Sequence, residues 1–103
     1  MAKVKAYVYR VDGVFGDDYK VYPPVVVLAN GDKFQIINTT DKDGEFTIPA
    51  GPFGDGVDKK KLDKKSVSAD MDAKNGPISV QYEVKVDGKK ATAHSDPVII
   101  IDP

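Results

Sequence analysis

The chain contains no cysteine and no tryptophan, and it has one histidine among its 103 residues. The lack of cysteine excludes disulfide bonds, thiolate metal ligands and cysteine nucleophiles. It leaves the compartment open, because a domain without disulfides folds in the cytosol and also outside it. No apolar run approaches the roughly 20 residues that a membrane-spanning helix requires, so we expect no membrane partner.

An excess of charge of one sign is also lacking, since 15 basic residues face 16 acidic ones and the net charge is −1. This balance argues against a nucleic-acid partner, because such proteins normally concentrate basic residues on one face. The lysine-rich stretch 59–65 contains interspersed acidic residues and is interpreted as a solvated loop or a single helical turn. The first residues enter a strand pattern without the apolar segment of a signal peptide, so we expect a cytoplasmic protein, a removed leader being the alternative.

Short alternating segments separated by turn residues account for most of the chain. Residues 4–11 and 78–86 alternate between apolar and polar, which predicts strands that bury one face. The continuous apolar run 25–28 predicts a strand covered on both faces. Asn30-Gly31 predicts a hairpin between that strand and 33–38. No segment shows a sustained helical period, and about seven strands with turns between them predict an all-β sandwich or barrel.

The order of the pieces from residue 24 to residue 102 resembles that of a known fold. The pieces are GDKFQIIN at 31–38, PAG at 49–51, ISVQYEV at 78–84 and DPVIII at 96–101. This order resembles the small bacterial cupredoxin-like domains that lack copper. The resemblance implies that residues 1–103 form a single domain, a Greek-key β-sandwich with the cupredoxin-like arrangement of strands.

Copper-binding cupredoxins use ligands that this chain lacks. In that family one histidine follows the asparagine strand, and a cysteine, a second histidine and a methionine precede the last strand. Here the loop 38–44 has no histidine, no cysteine follows Tyr82, and only His94 lies where a ligand is expected. One imidazole cannot replace the thiolate that makes such sites tight and blue. The resemblance therefore implies the fold without electron transfer and without a copper cofactor.

His94 is the one candidate metal ligand outside the acidic loops. Because metal sites need several converging ligands, the favoured interpretation is an exposed loop residue. The acidic loops 41–45 and 70–75 resemble calcium loops, but neither has the glycine position and the bidentate glutamate of an EF-hand. Turns also attract Asp and Asn without any ion, since their side chains bond to the nearby backbone.

The sequence contains no recognisable catalytic motif. His94, Ser95 and Asp96 include the residue types of a catalytic triad, but neighbours on an extended chain point in alternating directions and cannot form a relay. The glycines in 51–56 are not followed by the Gly-Lys-Ser/Thr of a phosphate-binding loop. We therefore predict that the protein is not an enzyme. An unrecognised hydrolase or isomerase stays open as a further hypothesis, because sequence does not show which polar groups converge.

Aromatic residues are the candidates for an interaction surface. Tyr7 and Tyr9 share a face of the first strand with Lys3 and Lys5, and aromatic side chains on an open sheet face often recognise partners. The favoured interpretation is that these tyrosines, like Tyr19 and Tyr22, pack under a loop or the second sheet. Phe53 is predicted to be an exposed anchor in its loop.

These observations predict a non-enzymatic binding or interaction module of unknown ligand, for which a protein is the candidate partner. Three loops, 39–45, 50–58 and 87–96, are expected to form one variable surface at one end of the domain, since loops carry recognition and strands carry stability. The alternative is a metal-binding protein that holds copper or calcium with His94 or the acidic loops. That hypothesis predicts loss of Cu(II) affinity in His94→Ala.

Overall fold

The computed structural model describes residues 2–13, 16–92 and 96–102. Within these ranges every regular element is a strand, which confirms the all-β prediction. The elements are β1 (Lys3–Gly13), β2 (Gly16–Tyr22), β3 (Val25–Ala29), β4 (Lys33–Asn38), β5 (Gly44–Ile48), β6 (Val57–Leu62), β7 (Met71–Asp72), β8 (Ile78–Gln81), β9 (Glu83–Val86), β10 (Lys89–Thr92) and β11 (Val98–Asp102). The prediction of about seven strands was too low. No helix in the described residues has the length and hydropathy needed to cross a bilayer.

The strands form two sheets. The large sheet has the order β6-β5-β9-β10-β2-β1-β4-β7, and the small sheet has the order β3-β11-β8. The predicted strand 78–86 is present, but it is divided at Tyr82 and passes there from the small sheet into the large one. A single alternating segment therefore contributes to both layers of the sandwich.

The Asn30-Gly31 turn connects the two sheets instead of two paired strands. β3 pairs with β11 and β4 pairs with β1, both in parallel, so the predicted hairpin is wrong. Gly31 has a φ of 93°, and the carboxylate of Asp32 accepts hydrogen bonds from the N–H groups of Ala29 and Ala2, both at 2.9 Å. The local signal thus specifies a turn, but it does not specify which sheet the following strand joins.

One apolar core lies between the layers. Side chains that alternate along the strands face it, and several are fully buried: Ala6, Val8, Phe34, Ile36, Val84, Val86, Ile99 and Ile101 are each 0% exposed. Burial of one large aliphatic or aromatic side chain stabilises the fold by roughly 1.5–3 kcal/mol. The inward faces predicted from alternation over 4–11 and 78–86 are confirmed.

The strand β3 is buried on one face only. Val26 and Leu28 are buried, whereas Val25 is 43% exposed and Val27 is 54% exposed. The prediction that this apolar run is covered on both faces is therefore wrong. Val25 and Val27 project from the face of the small sheet that points away from the core, and no layer of the described residues covers that face.

Candidate functional site

A row of apolar and aromatic side chains crosses the outer face of the large sheet. The register places Tyr7 opposite Tyr22 and beside Ile37, and it places Ile37 opposite Val67. These four residues therefore lie side by side across the strands, and we call them the tyrosine row. Tyr22 is 62% exposed, Val67 is 51% exposed and Tyr7 is 42% exposed. Adjacent exposed apolar side chains of this size are typical of interaction surfaces.

The alternation of β1 explains why the row faces outward. Ala6 and Val8 occupy the core, so their neighbours Tyr7 and Tyr9 project from the opposite face. Tyr9 is 37% exposed. The interpretation that these two tyrosines and Tyr22 pack against the core is wrong, because no second layer within the described residues covers this face. Tyr19 has the opposite orientation and is buried, as that interpretation predicted.

Lysines flank the tyrosine row. Tyr9 lies opposite Lys20, and Lys5 lies two residues before Tyr7 on the same face of β1. Within the described ranges neither Lys5 nor Lys20 has a salt-bridge partner. The row therefore lies beside positive charge that no described carboxylate neutralises.

Other charges on the same face are internally paired. Lys33 Nζ lies 2.7 Å from Asp72 Oδ1, and this hydrogen bond raises the pKa of Lys33 and lowers the pKa of Asp72. Lys3 lies 3.6 Å from Asp70. These exposed pairs contribute little to stability, but they neutralise the β7 end of the face.

A groove of about 500 Å³ adjoins the Val67 end of the row. It lies between β6 and the segment 66–71, so it separates the two strands that end the large sheet. Its apolar lining consists of Phe46, Val57, Leu62, Val67, Ala69 and Met71, and its basic side chains are Lys60 and Lys61. Because Val67 belongs to both features, the row and the groove form one continuous surface.

The three loops that were expected to lie together are divided between the two ends of the sandwich. The N–H of Asp87 donates to the carbonyl of Asp43 at 3.1 Å, so the turn 87–88 adjoins the first loop. The loop 50–58 follows the other end of β5, where the side chain of Asn75 donates to the carbonyl of Gly51 at 2.9 Å. The prediction of a single loop surface is wrong, since β5 separates two of the loops by its full length.

Phe53 belongs to the core more than to the surface. Its ring stacks on the buried ring of Phe34, with a centroid distance of 5.6 Å and an interplanar angle of 0°. The ring of Tyr82 approaches Phe34 edge-on, at 5.9 Å and 80°. The prediction of a freely exposed Phe53 is wrong, because its ring is partly buried and closes the core beneath the loop 50–58. A role for it in binding stays a prediction.

No protein-family model matches the chain, and no curated protein matches its sequence. Solved structures do match. A reduced amicyanin variant superposes with a TM-score of 0.62 at 11% identity, over 97% of this chain and 82% of the other. Amicyanin from Paracoccus versutus gives 0.60 at 14% identity, over 97% and 81%. The fold is cupredoxin-like.

A pseudoazurin from Sinorhizobium supports the same assignment, with a TM-score of 0.57 at 14% identity over 100% of this chain and 76% of the other. The cupredoxin-like resemblance inferred from sequence is therefore confirmed for the fold. At such low identities the likeness shows the fold alone.

The loop after the asparagine strand of this cupredoxin-like domain is organised by the side chain of Asn38. Asn38 is fully buried, and its side chain bonds to the backbone of Lys42 and Leu62 and to Thr40. Among residues 2–13, 16–92 and 96–102, no three His, Cys, Asp or Glu side chains are grouped to hold a metal. His94, the candidate ligand, lies outside the described residues.

The acidic loops are occupied by bonds within the protein. Asp43 Oδ1 accepts from the N–H of Lys64 at 2.9 Å. Asp70 and Asp72 pair with Lys3 and Lys33, as described above. Neither loop therefore brings a set of carboxylates together within the described ranges.

Proposed function

We propose that this cupredoxin-like domain is a non-enzymatic module that binds a protein partner through the tyrosine row and the adjoining groove. The observation that supports the proposal is the row itself, four neighbouring aromatic and aliphatic side chains on the outer face of the sheet, of which Tyr7, Tyr22 and Val67 are exposed to solvent. Tyrosine is enriched among the residues that dominate binding energy in protein interfaces, since it buries a large area with little loss of entropy.

The charges around this surface indicate the chemistry of the partner. Lys5 and Lys20 flank the row, and Lys60 and Lys61 line the groove. A partner segment with apolar side chains flanked by Asp or Glu would complement both features. Charge complementarity of this kind raises the rate of association and selects against basic partners.

The tyrosine row provides a surface for binding but contains no reactive group. Its members are two phenols and two aliphatic side chains, none of which is a nucleophile or general base at neutral pH. The groove adds Lys60, Lys61 and Asp63 to an apolar lining, and none of the described residues that line it is a histidine or a cysteine. Such a surface supports binding as the function.

Selection of peptides from a random display library on the purified protein tests this proposal. Peptides rich in apolar and acidic residues are expected, and their affinities would be compared for the wild type, Tyr7→Ser and Tyr22→Ser. Loss of one anchor of about 2 kcal/mol corresponds to roughly 30-fold weaker binding. Val27→Ser is the matched control, because Val27 is 54% exposed on the other sheet.

Two outcomes would overturn the proposal. One is that no peptide is enriched on the folded domain. The other is that the selected peptides bind Tyr7→Ser and Tyr22→Ser as tightly as they bind the wild type. Chemical-shift changes confined to the elements that carry the row and the groove, which are β1, β2, β4, β6 and the 66–71 segment, would support it independently.

A further inference from the structure

The strands at the ends of the two sheets differ in how well they are protected from pairing with another chain. β6 carries three consecutive lysines, Lys59, Lys60 and Lys61. The φ of Lys59 is 49°, and the pairing of β6 with β5 changes register beside Phe46. β7 has only two residues, and the exposed side chains of β8 are the polar Ser79 and Gln81. Charge, irregular register and shortness discourage edge-to-edge association, and a polar outer face offers another strand little apolar area to bury.

β3 begins directly after Pro24, as β8 does after Pro77, but its own residues have none of these protections. Its five residues, VVVLA, include no charge and no proline, and they pair with β11 in an uninterrupted parallel register. The side chains of Val25 and Val27 are 43% and 54% exposed on its outer face. Beside them lie Val98 and Ile100 of β11, which are only partly buried. An apolar, regular edge strand of this kind is a ready template for another strand.

The backbone of β3 also has N–H and C=O groups that the small sheet does not use. The N–H of Val98 donates to the carbonyl of Pro24 at 2.9 Å. Because a parallel ladder uses alternate residues, Val26 and Leu28 bond to β11, and Val25 and Val27 direct their N–H and C=O groups to the open edge. No described residue bonds to these outward groups.

The open edge ends at Ala29. The N–H of Ala29 donates to Asp32 Oδ2 at 2.9 Å, and its carbonyl accepts from the N–H of Asp32 at 3.0 Å. The turn therefore satisfies Ala29 and leaves Val25 and Val27 as the residues with unpaired outward groups. Such groups gain a partner when a second strand arrives at the edge.

We propose that β3 is a self-association edge at which two copies of this chain pair antiparallel about a two-fold axis. With Val26 at the axis, Val25 of each copy lies opposite Val27 of the other, and every outward N–H and C=O finds a partner. The exposed valine side chains of β3, Val25 and Val27, carry no charge that would attract an acidic or basic partner. A second copy of the chain presents the same neutral valine surface. The joined small sheets would form one continuous sheet with an apolar outer strip.

The contact is short, so the dimer is expected to depend on concentration. Pairing through two valines on each copy buries less than the roughly 1,200 Å² that stable interfaces start from. Sedimentation velocity from about 10 µM to about 1 mM covers the corresponding range of weak affinities. The wild type is expected to shift from monomer to dimer over this range.

Val27→Lys is the variant that tests the edge. A lysine there replaces the valine that lies opposite Val25 of the other copy, and it brings the two introduced charges to diagonal positions across the axis, so the dimer should be lost while the fold, checked by thermal unfolding, is kept. Val67→Lys is the matched control, because Val67 is 51% exposed on the other sheet. It should dimerise like the wild type.

Hydrogen exchange at two concentrations locates the contact. The amide of Val27 should become protected as the concentration rises, while the amide of Val26, already bonded to β11, is protected throughout. A wild type that stays monomeric would overturn the proposal. So would a Val27→Lys variant that still associates, equal losses in Val27→Lys and Val67→Lys, or a dimer in which the exchange of Val27 does not change.

Discussion

The side chain of Asn38 donates a hydrogen bond to the carbonyl oxygen of Leu62 at 3.0 Å, which joins the ends of β4 and β6, 24 positions apart in the chain. Its second amide hydrogen bonds to the carbonyl of Lys42 at 2.9 Å. Its oxygen accepts from both the N–H and the hydroxyl of Thr40, at 3.0 and 2.6 Å. A fully buried amide with all of these bonds made acts as a cross-link, because its own polar atoms and those of its buried partners, Leu62 and Thr40, would otherwise lose these bonds away from water.

Replacing Asn38 by leucine is expected to lower the free energy of unfolding by about 3 kcal/mol, since several buried groups lose their partners at once. Urea unfolding with an unchanged slope would measure the loss. Gln35→Leu is the control, because the amide of Gln35 makes only one long bond, 3.4 Å to Ser68. Equal losses in the two variants would contradict the role given to Asn38.

Alternation along single strands predicts which residues form the core, whereas the sequence does not show which strands pair with each other. The inward positions of Val8, Ile36 and Val84 follow from a period of two that is local to each segment. The tyrosine row depends instead on the register of Tyr7 with Ile37 and of Ile37 with Val67. Such contacts are set by the whole fold, and nothing local to residue 67 marks it as a neighbour of residue 7.

Three strands were missed because they carry little apolar signal. β10 has the sequence KKAT, of which only Ala91 is buried, and β6 buries only Leu62 fully. In β2 the turn residues at its start obscured the alternation of Tyr19 and Val21, which are both buried. Strands that bury one or two side chains gain their stability from neighbours, so a single-sequence pattern does not reveal them.

The hydroxyl of Tyr82 is buried and has no hydrogen-bond partner among residues 2–13, 16–92 and 96–102. Tyr82→Phe removes the group that lost its hydration on folding and keeps the ring that packs edge-on against Phe34. We therefore expect a stability equal to that of the wild type or higher by about 1 kcal/mol. Tyr82→Leu, which loses the aromatic packing, should be destabilised by about 2 kcal/mol. A loss of stability in Tyr82→Phe would show that the hydroxyl is bonded.

Burial raises the pKa of the Tyr82 phenol far above its ordinary value of 10.0. The folded state therefore holds this proton at pH values where the unfolded state has released it. Below about pH 10 the two states bind the proton alike, and above it the folded state loses about 1.4 kcal/mol per pH unit relative to the unfolded state. Tyr82→Phe lacks this proton, so its unfolding free energy should exceed that of the wild type by about 1.4 kcal/mol more at about pH 11 than at about pH 8. An unchanged difference would contradict the burial of the phenol.

Phe53 is expected to affect stability because its ring covers Phe34. Phe53→Ala should lower the free energy of unfolding by about 2 to 3 kcal/mol, somewhat less than for a fully buried phenylalanine. Tyr22→Ala removes a ring that is 62% exposed and should change stability by less than about 0.5 kcal/mol. Thermal or urea unfolding of the two variants distinguishes a core residue from a surface anchor. A small effect in Phe53→Ala would restore the view that this ring is available to a partner.

Copper binding separates a cupredoxin-like fold from cupredoxin chemistry. With no cysteine in the chain, Cu(II) should produce no intense blue absorption, because that band requires a thiolate ligand. Any weak binding through the only imidazole should broaden amide signals near residue 94 and disappear in His94→Ala. Titration of ¹⁵N-labelled wild type and His94→Ala with Cu(II) measures this directly. Broadening at substoichiometric copper in the wild type, absent from His94→Ala, would revive the metal-binding alternative. Identical and scattered broadening in both would remove it.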